Sequence, residues 1–199
     1  VQSITAENGA ALSAYELEPQ LITALSEDKS RVKRRLVTYN QIPPRMVEAV
    51  TSIEDRGFFQ HGGINYLRIA KCAVEDVLAR RMSCGGSTLT QQLARGFFLS
   101  PDKKFIRKFR EIMITFQLEA RFNKQQIFEM YANEINLGQR GSYAINGFGE
   151  ASQTYFGKNL RQLDTAECAL IAGIIQSPSR LNPYRHPERA MARRNVVLD

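Results

Sequence analysis

Glu54-Asp55-Arg56-Gly57-Phe58-Phe59-Gln60-His61-Gly62-Gly63 is the stretch on which the reading of this chain turns. Just before it, Pro44 suits a first helical turn, and Met46, Val47, Val50 and Ile53 recur at helical spacing. An apolar stripe should therefore end at Glu54. Glu54 and Asp55 are neighbours at that helix end and must point in different directions, with Arg56 free to pair with either. Phe58 and Phe59 offer the apolar shelter that a carboxylate general base uses. The plain alternative is a solvated Glu at a helix terminus. His61 is placed to position a carboxylate or to cap a backbone carbonyl.

A second dense polar run is Gly85-Gly86-Ser87-Thr88-Leu89-Thr90-Gln91-Gln92. Its two glycines permit close approach, and Ser87 or Thr88 should cap a helix running through Gln92 to Phe98. Free N–H groups at such a terminus suit an anion or a sugar. No lysine follows the glycines at the spacing of a nucleotide-binding P-loop. Capping accounts for Ser87 and Thr88, but less readily for paired glutamines whose amides could reach sugar hydroxyls.

After Pro101 a long helix takes in Phe105, Ile106, Phe109, Ile112, Met113, Phe116 and Leu118, ending around Phe122. Arg107 and Glu111 share one of its faces, with Lys108 beside them. As a surface pair they would contribute only about 0.3 kcal/mol. Lys103, Lys104, Arg110, Arg121 and Lys124 widen the group into a cationic patch that could hold a diphosphate and neutralise charge as it leaves. A further helix from Lys124 buries Ile127, Phe128 and Tyr131, while Glu129 and Asn133 share a face and could orient Lys124 or a carboxylate.

The helix expected from Asn65 to about Met82 mixes Leu67, Ile69, Ala70, Val74 and Leu78 with Arg68, Lys71, Arg80 and Arg81. That composition fits a core helix or one that dips into a membrane interface. Residues 138–149 contain four glycines and read as a loop feeding a helix from Glu150 to Tyr155. Asp164 and Glu167 form a capping box for the helix Ala166 to Ile175, and Pro187 opens a last helix bearing Arg189, Arg193 and Arg194. Strand signals after residue 44 are almost absent, which predicts an essentially all-α main domain. The opening is different: Asn8-Gly9 is a turn signal, Ala10–Leu17 and Arg31–Thr38 look strand-like, and Lys29 to Arg35 is strongly basic. Residues 1–42 are accordingly read as a small basic β-containing accessory segment or linker, and 43–199 as the main domain.

With 199 residues, 43% hydrophobic and 24% charged, the chain can bury a sizeable core and is not disordered. A net charge of +7 favours anionic partners: phosphates, an acidic lipid surface or nucleic acid. A nucleic-acid module, however, gives no reason for Glu54 or Glu111. Cys72, Cys84 and Cys168 are scattered and make no metal-ligand spacing with the two histidines. They are read as buried thiols, with one disulfide as the alternative. No apolar run is long enough to span a membrane. The first residue is Val1, which suggests a processed or excised fragment whose anchor lies outside it.

Taken together, these residues resemble the peptidoglycan glycosyltransferase domain (glycosyltransferase family 51) of class A penicillin-binding proteins and monofunctional transglycosylases. The family pattern E-D-x-x-F-x-x-H-x-G is met by Glu54, Asp55, Phe58, His61 and Gly63, and G-G-S-T-x-T-Q-Q by Gly85 to Gln92. R-K-x-x-E is met by Arg107, Lys108 and Glu111, and K-x-x-I-x-E-x-Y-x-N by Lys124, Ile127, Glu129, Tyr131 and Asn133. A late R-x-x-x-V-L is entered at Arg193, Arg194, Val197 and Leu198.

The resemblance implies a mainly α fold, a lysozyme-like lobe with a smaller membrane-facing jaw at about residues 64–83. It implies polymerisation of lipid II with inversion, Glu54 as base, and Glu111 with Arg107 and Lys108 at the donor diphosphate. Asp55, His61, Ser87, Thr90, Gln91, Gln92, Arg95, Lys124, Arg193 and Arg194 would bind substrate. Phe58, Gly63, Gly85, Gly86, Glu129, Tyr131 and Asn133 would support the site. No cofactor is required by the sequence; Mg2+ or Mn2+ at the diphosphate, with Glu111 as its ligand, is an option. The implied partners are lipid II and the growing glycan, an anionic membrane surface, a moenomycin-type inhibitor and a covalent transpeptidase domain beyond Asp199, with no nucleic acid. The implied location is the extracytoplasmic face of the bacterial plasma membrane.

Overall fold

The computed structural model describes residues 4–5, 11–12, 32–66, 69–72, 86–98 and 104–199. Its labelled helices are α1 (Pro44–Glu54), α2 (Leu89–Phe98), α3 (Lys104–Arg121), α4 (Lys124–Glu134), α5 (Phe148–Phe156), α6 (Thr165–Ile174) and α7 (Pro187–Leu198). Local chemistry sets several ends. Pro44 occupies the first position of α1. Asn123 with Gln126, and Asp164 with Glu167, form reciprocal capping boxes that open α4 and α6. Gly157, at φ 65°, closes α5 in the left-handed conformation.

The core is one cluster in which α1, α2, α4, α5 and α6 meet. Met46, Val50, Phe58, Leu89, Ile127, Phe128, Phe148 and Ile171 are wholly buried. Phe58 lies 6.0 Å from Phe128, and Phe128 and Tyr131 each lie 6.3 Å from Phe148, centroid to centroid. Each such side chain contributes about 2–3 kcal/mol by leaving water. Phe58 thus pins the turn that follows Glu54 to the centre of the molecule.

The domain is mainly helical, but the expected loop over 138–149 is a hairpin. Strands β4 (Asn136–Arg140) and β5 (Tyr143–Asn146) pair antiparallel, and β3 (Val32–Arg34) adds in parallel to give the order β3-β5-β4. Arg140 faces Tyr143 across the two-residue turn Gly141-Ser142, and Gly141 at φ 58° supplies the positive angle such a turn demands. An essentially all-α domain is therefore corrected to helices plus a small sheet. Short β1 (Ile4–Thr5) and β2 (Ala11–Leu12) form a separate pair. Of the helix expected from Asn65 to Met82, residues 69–72 are helical, and 73–82 lie outside the described residues.

Residues 34–42, placed by the sequence in the accessory segment, run as a strap across α4 and α5. Arg34 pairs with Glu134 at 2.8 Å and Arg35 with Glu150 at 3.4 Å. The Asn133 amide takes the Val37 N–H on Oδ1 and donates Nδ2 to the Val37 carbonyl, both at 2.8 Å. Tyr39 N–H donates to Glu129 at 2.7 Å. A Cβ on Gly149 would come within 2.3 Å of the Arg35 carbonyl oxygen, so the strap seats where α5 has no side chain.

Helix α3 turns a polar face inward. Ile106, Phe109, Met113 and Phe116 are exposed along one side, while Glu111, Thr115 and Leu118 are buried on the other. At 100° per residue the two sets occupy opposite faces. Of the cysteines, Cys168 is a free, buried thiol as expected, Cys72 is disulfide-bonded, which is the alternative reading, and Cys84 lies outside the described residues.

Candidate active site

Glu54 and Asp55 leave α1 in different directions, as neighbours at a helix end must. Asp55 is fully buried. Its carboxylate accepts from His61 Nε2 at 2.9 Å and from the Leu89 N–H, at the start of α2, at 3.2 Å. His61 Nδ1 in turn accepts the Gly63 N–H at 3.1 Å, so the ring proton belongs on Nε2, facing Asp55. A negative charge at the first turn of α2 is favourable for its dipole. Asp55 and His61 therefore lock the loop after α1 onto α2.

The same loop is clamped from a third side. Thr88 Oγ1 donates to the Gly63 carbonyl at 2.6 Å. Gly63 has φ 89°, and a Cβ there would lie 2.7 Å from Thr115 and 2.9 Å from Glu119 of α3. Only glycine tolerates both the angle and the pinch. Thr88 is the cap of α2: its N–H donates to Gln91 Oε1 at 3.0 Å, and its Oγ1 accepts the Gln91 N–H at 3.2 Å. Gln91 is thus buried in the cap itself, whereas Gln92 turns toward Glu54.

Glu54 is half-buried. Gln92 Nε2 donates to its Oε2 at 2.8 Å, and Tyr131 donates its hydroxyl to Gln92 Oε1 at 3.2 Å. Burial, with the nearby Glu54 charge adding to it and Arg95 opposing it, holds the Tyr131 phenol well above its ordinary range. It remains a donor at any physiological pH.

Glu111 sits on the other flank of α2. It is 2% exposed, and Lys108 Nζ lies 2.5 Å from its Oε1. Lys108 also reaches Ser87 Oγ at 3.3 Å. The carboxylate's ion pair is thus with Lys108, three residues back, and not with Arg107, which is half-buried beside it. Both carboxylates bear on the start of α2, Glu54 through Gln92 and Glu111 through Lys108 and Ser87.

A third carboxylate, Glu119, was not singled out by the sequence. Its Oε1 accepts from Thr90 Oγ1 at 2.6 Å and from Lys124 Nζ at 2.7 Å, and Lys124 stands 4.7 Å over the Phe58 ring. Glu111, Thr115 and Glu119 recur every four residues on α3, opposite its apolar stripe. That polar row was the available signal.

The remaining expected residues lie apart from this cluster. Glu129 and Asn133 hold the strap. Arg193 packs on Gly173 of α6, its Cγ 3.1 Å from where a Cβ would stand, and Arg194 bonds Asn195 at 2.8 Å. Gly85 lies outside the described residues. Among the described residues, no group of three His, Cys, Asp or Glu side chains could hold a metal. Chemically, the cluster offers a carboxylate oriented by an amide, a helix terminus, and a lysine balanced by a buried glutamate.

The family model described as Transglycosylase matches residues 18–199. The chain is 43% identical over 187 residues to penicillin-binding protein 1B of Vibrio cholerae serotype O1, covering 94% of this chain and 24% of that protein. It is 42% identical over 188 residues to penicillin-binding protein 1A of Escherichia coli, covering 94% of this chain and 21% of that protein. The crystal structure of penicillin-binding protein 1A from Haemophilus influenzae matches 85% of this chain and 15% of its own, at 26% identity and a TM-score of 0.47. The chain spans about a quarter of the length of the curated relatives it matches. It belongs to the transglycosylase family, the peptidoglycan glycosyltransferase domains of penicillin-binding proteins 1A and 1B.

Proposed function

We propose that this domain polymerises lipid II into β-1,4-linked glycan with inversion at the anomeric carbon. Glu54 takes the proton of the acceptor GlcNAc 4-hydroxyl as that oxygen attacks C1 of the MurNAc at the lipid-linked end of the chain. The C1–oxygen bond to the diphosphate breaks, and undecaprenyl diphosphate leaves with the electron pair. Lys108 and Arg107, with Glu111 fixing the lysine, face the departing charge. The observation that carries this reading is the pairing of Glu54 and Lys108 on either flank of the start of α2, through Gln92 and Ser87.

Ser87 and Gln92 are the motif side chains nearest the sugars in this reading; Asp55, Thr88, Thr90 and Gln91 are buried and hold the wall behind them. Glu111 is the carboxylate that Mg2+ or Mn2+ would use, and Lys108 already neutralises it. Arg107 beside this neutral pair supplies the net positive charge in this reading, and no step here is routed through a metal.

The lysozyme-like lobe, the jaw and a position on the extracytoplasmic face of the plasma membrane belong to the same proposal. The exposed stripe Ile106, Phe109, Met113 and Phe116, flanked by the exposed Arg110, supports a face resting on anionic lipid. No described helix is long and apolar enough to cross a membrane. Glu54→Gln in the full-length protein tests the chemistry: lipid II polymerisation on a gel should fall by about a thousandfold or more, as for loss of an essential base. Binding of a moenomycin-type inhibitor should persist. Turnover near wild type would remove Glu54 as base.

A further inference from the structure

Tyr131 has no place in the proton transfer, yet it is buried at the end of a chain of hydrogen bonds leading to the base. Its hydroxyl donates to Gln92 Oε1 at 3.2 Å, and Gln92 Nε2 donates to Glu54 Oε2 at 2.8 Å. A carboxylate can only accept, so the amide must turn its NH2 toward Glu54 and its oxygen toward α4. The oxygen then needs a donor, and the phenol supplies it. Were the amide reversed, its oxygen would face the carboxylate and its NH2 the phenol, and both contacts would weaken. The phenol stays protonated because of its burial, so the donor is permanent across the working pH range.

The ring is held independently of the hydroxyl. It is 1% exposed and lies 6.3 Å from both Phe128 and Phe148. Packing sets where the hydroxyl stands, and the hydroxyl sets which way the Gln92 amide faces.

We infer that Tyr131 is a positioning residue for the glycosyl transfer: it fixes the orientation of the Gln92 amide, and through it the orientation of the Glu54 carboxylate toward the acceptor hydroxyl. The inference rests on the proposed role of Glu54 and extends it to α4. Tyr131 touches neither sugar nor diphosphate. Its effect is on turnover, through the geometry of the base, and not on substrate affinity.

The test is Tyr131→Phe in the full-length protein, which removes one oxygen and keeps the ring. The reoriented amide should lower kcat for lipid II about 5- to 30-fold with KM nearly unchanged, and loss of the buried bond itself should lower the melting temperature by no more than about 8 °C. The second arm is a double-mutant cycle. With Gln92→Ala already in place, Tyr131→Phe should have no further effect, because the hydroxyl then has nothing to orient. Full additivity of the two changes, an effect carried by KM, or an unchanged kcat would each overturn the inference. Should Tyr131→Phe lower the melting temperature by more than this, Tyr131→Met and the cycle measured below the shifted transition still separate packing from orientation. Glu54→Gln, run alongside, keeps the two ideas apart. Activity in that variant sinks the base assignment, whereas inactivity beside an unaffected Tyr131→Phe sinks only the positioning role.

Discussion

Asn133→Ala should loosen the strap that fastens residues 34–42 to the helices. The Asn133 side chain makes three hydrogen bonds: it accepts the Val37 N–H at 2.8 Å, and Nδ2 donates to the carbonyls of Val37 at 2.8 Å and Glu129 at 3.0 Å. Alanine removes all three and leaves the half-buried Val37 backbone without its partner. At about 1 kcal/mol net for each bond, and less for the exposed share that water recovers, the loss is about 2–3 kcal/mol. For a chain of 199 residues that corresponds to a melting temperature lower by about 4–12 °C. Thermal and urea unfolding measure the total, and hydrogen exchange at the Val37 amide locates it. That amide should lose protection while amides in the middle of α6 keep theirs. A melting temperature within about 1 °C of wild type, with the Val37 amide still protected, would refute the idea that Asn133 holds the strap.

Other outcomes follow from single contacts. Gly149→Ala places a Cβ 2.3 Å from the Arg35 carbonyl oxygen, a backbone atom that cannot swing away. The strap must lift, at a cost of about 1–3 kcal/mol in urea unfolding, and an unchanged midpoint would show that the strap does not press there. Burial pushes the Cys168 thiol up to about 12 from 9.0, so the folded chain keeps this proton where the unfolded chain has lost it. Its contribution to stability is complete below pH 9 and is lost as the pH rises toward 12. Cys168→Ala should flatten that part of the alkaline decline, and the native thiol should react with a disulfide reagent at pH 8 only after denaturation.

The polar motifs were legible because catalysis and local folding put their residues close in sequence. Glu54, Asp55, His61 and Gly63 lie within one turn-and-loop, and Thr88 caps α2 with the residue three places on. Helix ends were readable for the same reason, since a capping box is a contact over three residues. Contacts without local spacing were not legible. The strap bonds at separations of about ninety residues, so nothing near Val37 or Tyr39 announces Asn133 or Glu129. Glycines at 138, 141, 147 and 149 read as a loop, because strands of five and four residues are too short for alternation to outweigh them. On α3, periodicity shows which residues share a face and not which face is turned inward.

That ambiguity on α3 bears on how the site is built. A helix with two contrasting faces is expected to bury the apolar one, yet α3 buries Glu111 and Thr115 and exposes Phe109 and Met113. Burying a carboxylate is costly unless a cation answers it, and Lys108 does so for Glu111 while Lys124 does so for Glu119. The inward face of α3 is therefore affordable only as a set: Thr115 against Gly63, Glu119 between Thr90 and Lys124, and Glu111 on Lys108. Each polar group there is satisfied by another group of the site. Such a wall keeps its charges fixed before any substrate arrives, which is the condition under which electrostatic stabilisation of a leaving diphosphate is strongest. It also leaves the apolar face of Ile106, Phe109, Met113 and Phe116 pointing outward.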